Sequence, residues 1–227
     1  MPQKNTIKIN VENSYYHIYN RGVEKRTIFE TDQDYRVFLN YLKEALSSAT
    51  KKDNLPKVRV SVQGTSFDRP IRPAKNLHGQ IELVAYCLMP NHFHLLIKQI
   101  TKGAMETLMR SLLTRYSTYF NKKYDRVGPL FQGRYKAIMI TEDNYLLHLS
   151  RYIHLNPSEY TQNLSDAYSS YSDYLGTKRT NWVKPDFILA FFNKPVLPEI
   201  IKVNTYKNFV ENYEKDSSQI LGELVLE

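Results

Sequence analysis

Two runs of strand-forming residues, Ile81 to Leu88 and His92 to Lys98, are parted only by Met89, Pro90 and Asn91. So short a connection joins strands only as antiparallel neighbours, because parallel ones need a crossover of a dozen or more residues. An antiparallel sheet is therefore the first constraint on the fold. Upstream, Tyr15 to Tyr19 is rich in strand formers and closes on Asn20, Arg21 and Gly22, which predicts a strand and a turn. Thr31 with Asp34 has the form of a helix-start box, and Tyr35, Phe38, Leu39 and Leu42 recur at helical spacing until Ser47 and Ser48.

Downstream, Met105, Leu108, Met109, Leu112, Leu113, Tyr116 and Phe120 mark a second amphipathic helix. A loop with Gly128, Pro129 and Gly133 leads to a short strand, Tyr135 to Ile140. Thr141, Glu142 and Asp143 then open a third helix, through Leu146, Leu149, Tyr152 and Ile153, that Pro157 ends. The order strand, helix, strand, strand, helix, strand, helix is the α+β, split βαβ or ferredoxin-like pattern, in which two helices cover one face of an antiparallel sheet and leave the other available. Binding modules and nucleases share it, so the fold does not choose a function.

Residues 48–79 carry Pro56, Pro70, Pro73, Gly64 and Gly79, with only Val58 to Val62 alternating like a strand, and read as an insertion holding an edge strand or hairpin. Residues 1–160 read as the main domain, and 161–227, with Pro185, Pro195 and Pro198 and a mixed-charge tail ending in Glu223 and Glu227, as a small helical extension.

Lysine and arginine total 31 against 23 acidic residues, a net charge of +8. That is the sign expected of a polyanion binder, and it needs a site to give it meaning. Cys87 is the one cysteine and sits in the apolar run Leu83 to Leu88, so it reads as a small buried hydrophobe with no disulfide framework. No stretch approaches the ~18 consecutive apolar residues of a membrane span, and Met1 to Asn10 lacks the apolar segment of a secretory signal. The expectation is a soluble, cytoplasmic protein with no membrane partner.

Alternation along a strand sends His92 and His94 to one face and Phe93 to the other, so two imidazoles are aimed at one point, and neutral imidazole is a common transition-metal ligand. Taken alone, the pair is more simply two satisfied or solvent-facing histidines. Tyr152 and Asn156, four apart on a helix, share a face: a phenol oxygen beside a carboxamide. By themselves they read as one tyrosine among 18 and an asparagine that ends a helix.

Four segments change that balance. Tyr15-Tyr16-His17-Ile18-Tyr19-Asn20-Arg21-Gly22, Leu88-Met89-Pro90-Asn91-His92-Phe93-His94-Leu95-Leu96, Gly128-Pro129-Leu130-Phe131-Gln132-Gly133-Arg134 and Arg151-Tyr152-Ile153-His154-Leu155-Asn156-Pro157 resemble, in order, the signature blocks of the REP-associated tyrosine transposases. These belong to the HUH single-tyrosine transposases. The resemblance spans roughly residues 14 to 157, with a weaker echo from Ser169 to Gly176.

It implies an HUH-type catalytic domain in which Tyr152 is the nucleophile and His92, His94 and Asn156 are ligands of a divalent metal, Mg²⁺ or Mn²⁺. The implied substrate is single-stranded DNA bearing a palindromic hairpin, cut and rejoined through a 5′-phosphotyrosine. The implied setting is the bacterial cytoplasm, on the nucleoid when DNA is bound, as monomer or homodimer. Where many members carry Glu between tyrosine and asparagine, this chain has His154. Candidate DNA contacts at or near the blocks are Asn20, Arg21, Arg126, Arg134 and Lys136, with Tyr15, Tyr19 and Tyr135 available to stack on bases or to pack inward. His148, a turn before Tyr152, is a candidate base that could equally pack against the sheet. Two rival readings remain at this level: a hairpin-binding regulator that does not cut, and a hydrolytic nuclease in which water replaces Tyr152.

Overall fold

The computed structural model describes residues 9–48, 57–62, 65–70, 75–193, 204–212 and 222; the tail glutamates Glu223 and Glu227, Pro195 and Pro198, and several connections within 48–79 lie outside them. Strands β1 (Ser14–Arg21), β4 (Ile81–Met89), β5 (His92–Gln99) and β6 (Lys136–Ile140) form one antiparallel sheet in the order β4-β5-β1-β6. With helix α1 (Asp32–Leu46) after β1 and α2 (Ala104–Lys123) after β5, this is the ferredoxin-like arrangement that the periodicities predict. The insertion forms its own hairpin, β2 (Lys57–Val62) with β3 (Thr65–Pro70), as a separate two-stranded sheet.

Helices α1 and α2 lie on one face. Tyr16 and Ile18 of β1, Phe93, Leu95 and Ile97 of β5, and Leu83, Tyr86 and Leu88 of β4 meet Phe38 and Leu42 of α1 and Leu108, Leu112, Tyr116 and Phe120 of α2 in one buried cluster. The predicted start of α1 is realised: the Asp34 carboxylate accepts from the Thr31 amide at 2.9 Å. It also takes the hydroxyls of Tyr119 (2.9 Å) and Tyr124 (2.7 Å) and the Lys123 ammonium (2.7 Å), which ties the start of α1 to the end of α2.

Burial works against charge on Asp34, but the donors from Lys123, Tyr124, the Thr31 amide and Tyr119 outweigh it and hold the carboxyl at about 2. The folded carboxyl thus binds its proton less tightly than an ordinary aspartate at 3.8. Its contribution is complete above that value and is lost as pH falls from there to about 2. At roughly 1.4 kcal/mol per unit, the whole amounts to about 2 kcal/mol. Urea unfolding should find Asp34→Asn weaker than the parent by about that much at neutral pH, with the gap closing near pH 2; a gap that does not change with pH would deny the charge its role.

The opposite face is not left available as the fold pattern suggested. Helix α3 (Asp143–Leu155) lies across it, and Leu146, Leu149 and Ile153 pack on Val84, Ala85 and Cys87 of β4 and Leu96 of β5. A β-bulge between Leu83 and Ala85 shifts the register so that Val84, Ala85 and Cys87 serve this second core. Residues beyond 160 complete it: helices α4 (Tyr171–Tyr174), α5 (Asp186–Asn193) and α6 (Tyr206–Glu211) contribute Tyr171, Tyr174, Ile188, Tyr206, Phe209 and Val210. The same stretch covers the free edge of β4, where the Leu88 amide donates to the Tyr168 carbonyl (2.9 Å), Ser170 to Tyr86 (3.0 Å) and Lys184 to Leu83 (2.8 Å). An edge so paired offers no template for another chain. Among the described residues no helix is long and apolar enough to cross a membrane.

Candidate active site

Strand alternation delivers both histidines of β5 to the face under α3, while Phe93 points the other way into contact with Phe38 at 5.2 Å. His94 lies between Cys87 of β4 and Tyr19 of β1, and His92 between Met89 and Arg21. Their rings stand perpendicular with centroids 5.0 Å apart. Tyr152 comes down from α3 with its ring edge-on to His94 at 5.4 Å. One turn on, the Asn156 amide nitrogen donates to the Tyr152 carbonyl at 2.9 Å, and the Asn156 side chain hydrogen-bonds the His92 imidazole. The four residues are thus brought to one place by two elements, each placing its pair through its own periodicity.

Burial pushes His92 down to about 4, against the Asn156 hydrogen bond that favours the proton and with help from the Arg21 charge. His94, fully buried, is held well below the ordinary histidine value by burial first and by His17 and His92 after it. Both imidazoles are therefore neutral near pH 7, the form in which imidazole binds a metal.

Two details bear on whether these residues suit a metal. His94 Nε2 is buried with no hydrogen-bond partner among the described residues, a costly state for a polar atom unless something else engages it. The His92 ring is anchored through Nδ1 to Asn91 Oδ1 at 2.5 Å. No group of three His, Cys, Asp or Glu is placed to hold an ion among the described residues; the set here is two imidazoles and a carboxamide, which fits a divalent ion that also takes oxygen ligands.

The first three sequence blocks meet at this end of the sheet. The Gly22 amide donates to the Asn91 carbonyl (2.8 Å), and the amides of Ile28 (2.8 Å) and Phe29 (3.0 Å) both reach the Pro90 carbonyl. Val23 donates to Leu130 (3.0 Å) and Gln132 to Arg21 (2.9 Å), which fastens the glycine loop to the end of β1. A Cβ on Gly22 would lie 2.2 Å from the Arg26 carbonyl oxygen, so the chain can turn here only with glycine.

The candidate DNA contacts divide. Asn20 is buried and spends its side chain on the Gly133 carbonyl (3.1 Å) and the Arg21 amide (3.0 Å), so the structure makes it a fastener of the loop rather than a surface contact. Arg126 donates to Asn121 Oδ1 (2.9 Å) above the Phe120 ring and braces the end of α2. Arg21, whose Nε donates to Gln132 (2.7 Å), lies beside His92; Arg134 is exposed on the adjoining loop; and the Lys136 ammonium stands 5.7 Å above Tyr19, on the same face as His94. Tyr19 is buried among these groups, and Tyr15 and Tyr135 are half-buried. His148 is buried against Phe209 of α6, at 5.4 Å.

His154 has a structural task. Fully buried and pushed by burial to about 3, it bridges the Tyr206 hydroxyl (2.6 Å) and Ser170 Oγ (2.7 Å), which in turn accepts from the Tyr86 amide (2.9 Å). It joins α3 to β4 and α6. Sequence reasoning passed over His17, also fully buried, whose Nε2 lies 2.9 Å from His94 Nδ1. Its alternation with Tyr19 was the available signal, but only the pairing of β1 with β5 brings it to His94.

Residues 71–156 match the family described as "Transposase IS200 like". Among curated proteins none matches the chain. Two solved structures align with it. One is a REP-associated tyrosine transposase bound to a REP hairpin, 11% identical with a TM-score of 0.47 over 80% of this chain and 98% of that one. The other is a Deinococcus radiodurans R1 protein named as a candidate transposase, 14% identical with a TM-score of 0.35 over 67% and 95%.

Proposed function

We infer that this chain, whose residues 71–156 match the IS200-like transposase family, cleaves and rejoins single-stranded, hairpin-bearing DNA with Tyr152 as a covalent nucleophile. The observation that carries this reading is the convergence of Tyr152 with His94 at 5.4 Å and of Asn156 with His92, on a face that also presents Arg21 and Lys136. The hairpin preference rests on the sequence blocks from Tyr15 to Pro157.

Phenols ordinarily titrate near ~10 and attack phosphodiesters poorly, so the site must both orient Tyr152 and relieve charge on the phosphate. Orientation comes from α3, whose Leu149 and Ile153 are locked into the second core on either side of the tyrosine. Arg21, Arg134 and Lys136 would hold phosphates by charge-assisted contacts that set the register of the strand without reading its bases. Bound by His92, His94 and Asn156, Mg²⁺ or Mn²⁺ would supply a neutralising charge for a non-bridging phosphate oxygen.

In the proposed step, Tyr152 Oη gives up its proton to solvent and bonds to the scissile phosphorus. The bond from phosphorus to the 3′ oxygen breaks, and that oxygen takes up a proton to become a free 3′-OH. The phosphotyrosine keeps the phosphodiester bond energy, so a second 3′-OH can reverse the step on a new strand without a nucleotide cofactor. In this step Tyr152 acts beside the histidines of its own chain.

The test is to incubate the purified chain with 5′-labelled and 3′-labelled pools of single-stranded hairpin oligonucleotides, in Mn²⁺ or in EDTA. A denaturation-resistant adduct carrying the 3′-side fragment should form only with the metal. DNA bound but neither cut nor captured across a broad pool would make the chain a hairpin-binding regulator instead, and cutting without an adduct would make water the nucleophile.

A further inference from the structure

We propose that His17 is a positioning residue that fixes which nitrogen of His94 carries a lone pair for the metal, an inference that rests on the metal-site reading above. His17 Nε2 and His94 Nδ1 face each other at 2.9 Å, their rings are near parallel at 19°, and both side chains are fully buried. Two imidazole nitrogens at that distance share one proton, so one ring donates and the other accepts.

If His17 donated, a neutral His94 would carry its own proton on Nε2, where no acceptor among the described residues meets it. That nitrogen could then ligate nothing. If His94 donates, its proton sits on Nδ1, Nε2 presents a lone pair, and His17 accepts through Nε2 with its own proton on Nδ1. The second arrangement alone makes His94 a ligand, and it orients the ring as the hydrogen-bonded partner of a metal-binding histidine does.

The usual partner in that position is a carboxylate, a carbonyl or water. A neutral imidazole is the less costly choice here, because the two rings lie between the sheet and α3 with no solvent to stabilise a carboxylate. The pairing is also long-range, with the partners 77 positions apart in the chain, so it forms only when β1 and β5 are in register.

The test uses the full chain and Mn²⁺ alone, with affinity read from the loss of the free-ion electron paramagnetic resonance signal. His17→Phe, which keeps a flat ring and removes the acceptor, should weaken Mn²⁺ binding by about 10- to 100-fold, and His17→Gln, whose Oε1 can accept, should recover most of the loss. Phe and wild type binding equally would overturn the proposal, as would Gln binding no better than Phe. Independently of any variant, ¹⁵N-resolved spectra of the metal-free chain should find His94 protonated on Nδ1; protonation on Nε2 would overturn it. His94→Ala separates the two levels of inference: if it binds Mn²⁺ as wild type does, the metal-site reading fails and this proposal with it, whereas a weakened His94→Ala beside an unaffected His17→Phe sinks the proposal alone.

Discussion

Tyr152→Phe protein is expected to hold hairpin DNA within a factor of about two of the unmodified chain, ~0.4 kcal/mol, while adduct formation and strand joining fall by on the order of 10⁴-fold or more. The substitution removes one oxygen. The ring that stands edge-on to His94 and packs beside the second core remains, so neither the fold nor the phosphate contacts of Arg21 and Lys136 should change. Loss of a nucleophile is not recovered by better positioning of the rest of a site, because no other group has an atom to offer at the phosphorus. Equal loss of binding would mean that Tyr152 works as a DNA contact. Undiminished cutting by the Phe variant would mean that the tyrosine takes no part and that water attacks. Single-turnover cleavage and equilibrium binding measured on the same oligonucleotide distinguish these results.

A chain ended at residue 160 is expected not to fold at all. It would lack Leu164, Tyr171, Tyr174, Val183, Ile188, Tyr206, Phe209 and Val210, all buried against β4 and α3. Full burial of one such side chain is worth roughly 1.5–3 kcal/mol, so the eight together, at about 12–24 kcal/mol, match or exceed the ~5–15 kcal/mol that keeps a typical domain folded. The truncation would also leave His154 of α3 without Tyr206 and Ser170, and would open the β4 edge that Tyr168, Ser170 and Lys184 now occupy. The expected product is insoluble, or soluble with exposed apolar surface that binds a hydrophobic dye and gives no cooperative thermal transition. A cooperative transition within a few degrees of the intact chain would show residues 161–227 to be an accessory.

How much of this the chain carries in its local pattern depends on the range of the interaction concerned. Alternation makes His92 and His94 neighbours on one face of any strand they occupy, and a helical turn does the same for Tyr152 and Asn156, so each half of the site could be read without knowing the fold. The β4-β5 hairpin and the Thr31–Asp34 start of α1 are equally local, since both are settled by the few residues that form them. The continuous apolar run of β4 is itself a local sign of a strand buried on both faces.

What the tertiary structure alone decided are matters of pairing across long stretches of chain. The bulge at Leu83 and Ala85 turns part of β4 toward α3, and α3 closes a face that secondary-structure order left open. Asn20 looks like a surface DNA contact in sequence, yet its side chain is taken up by the Gly133 carbonyl, which the fold brings from 113 residues away. His154 reads as a departure within a catalytic block and becomes a bridge once Tyr206 and Ser170 arrive from far along the chain. His17 gains its partner 77 residues away through the register of two strands. Periodicity is a property of successive residues and survives in the sequence; register and packing are settled by the burial of whole faces against each other, which no short segment encodes.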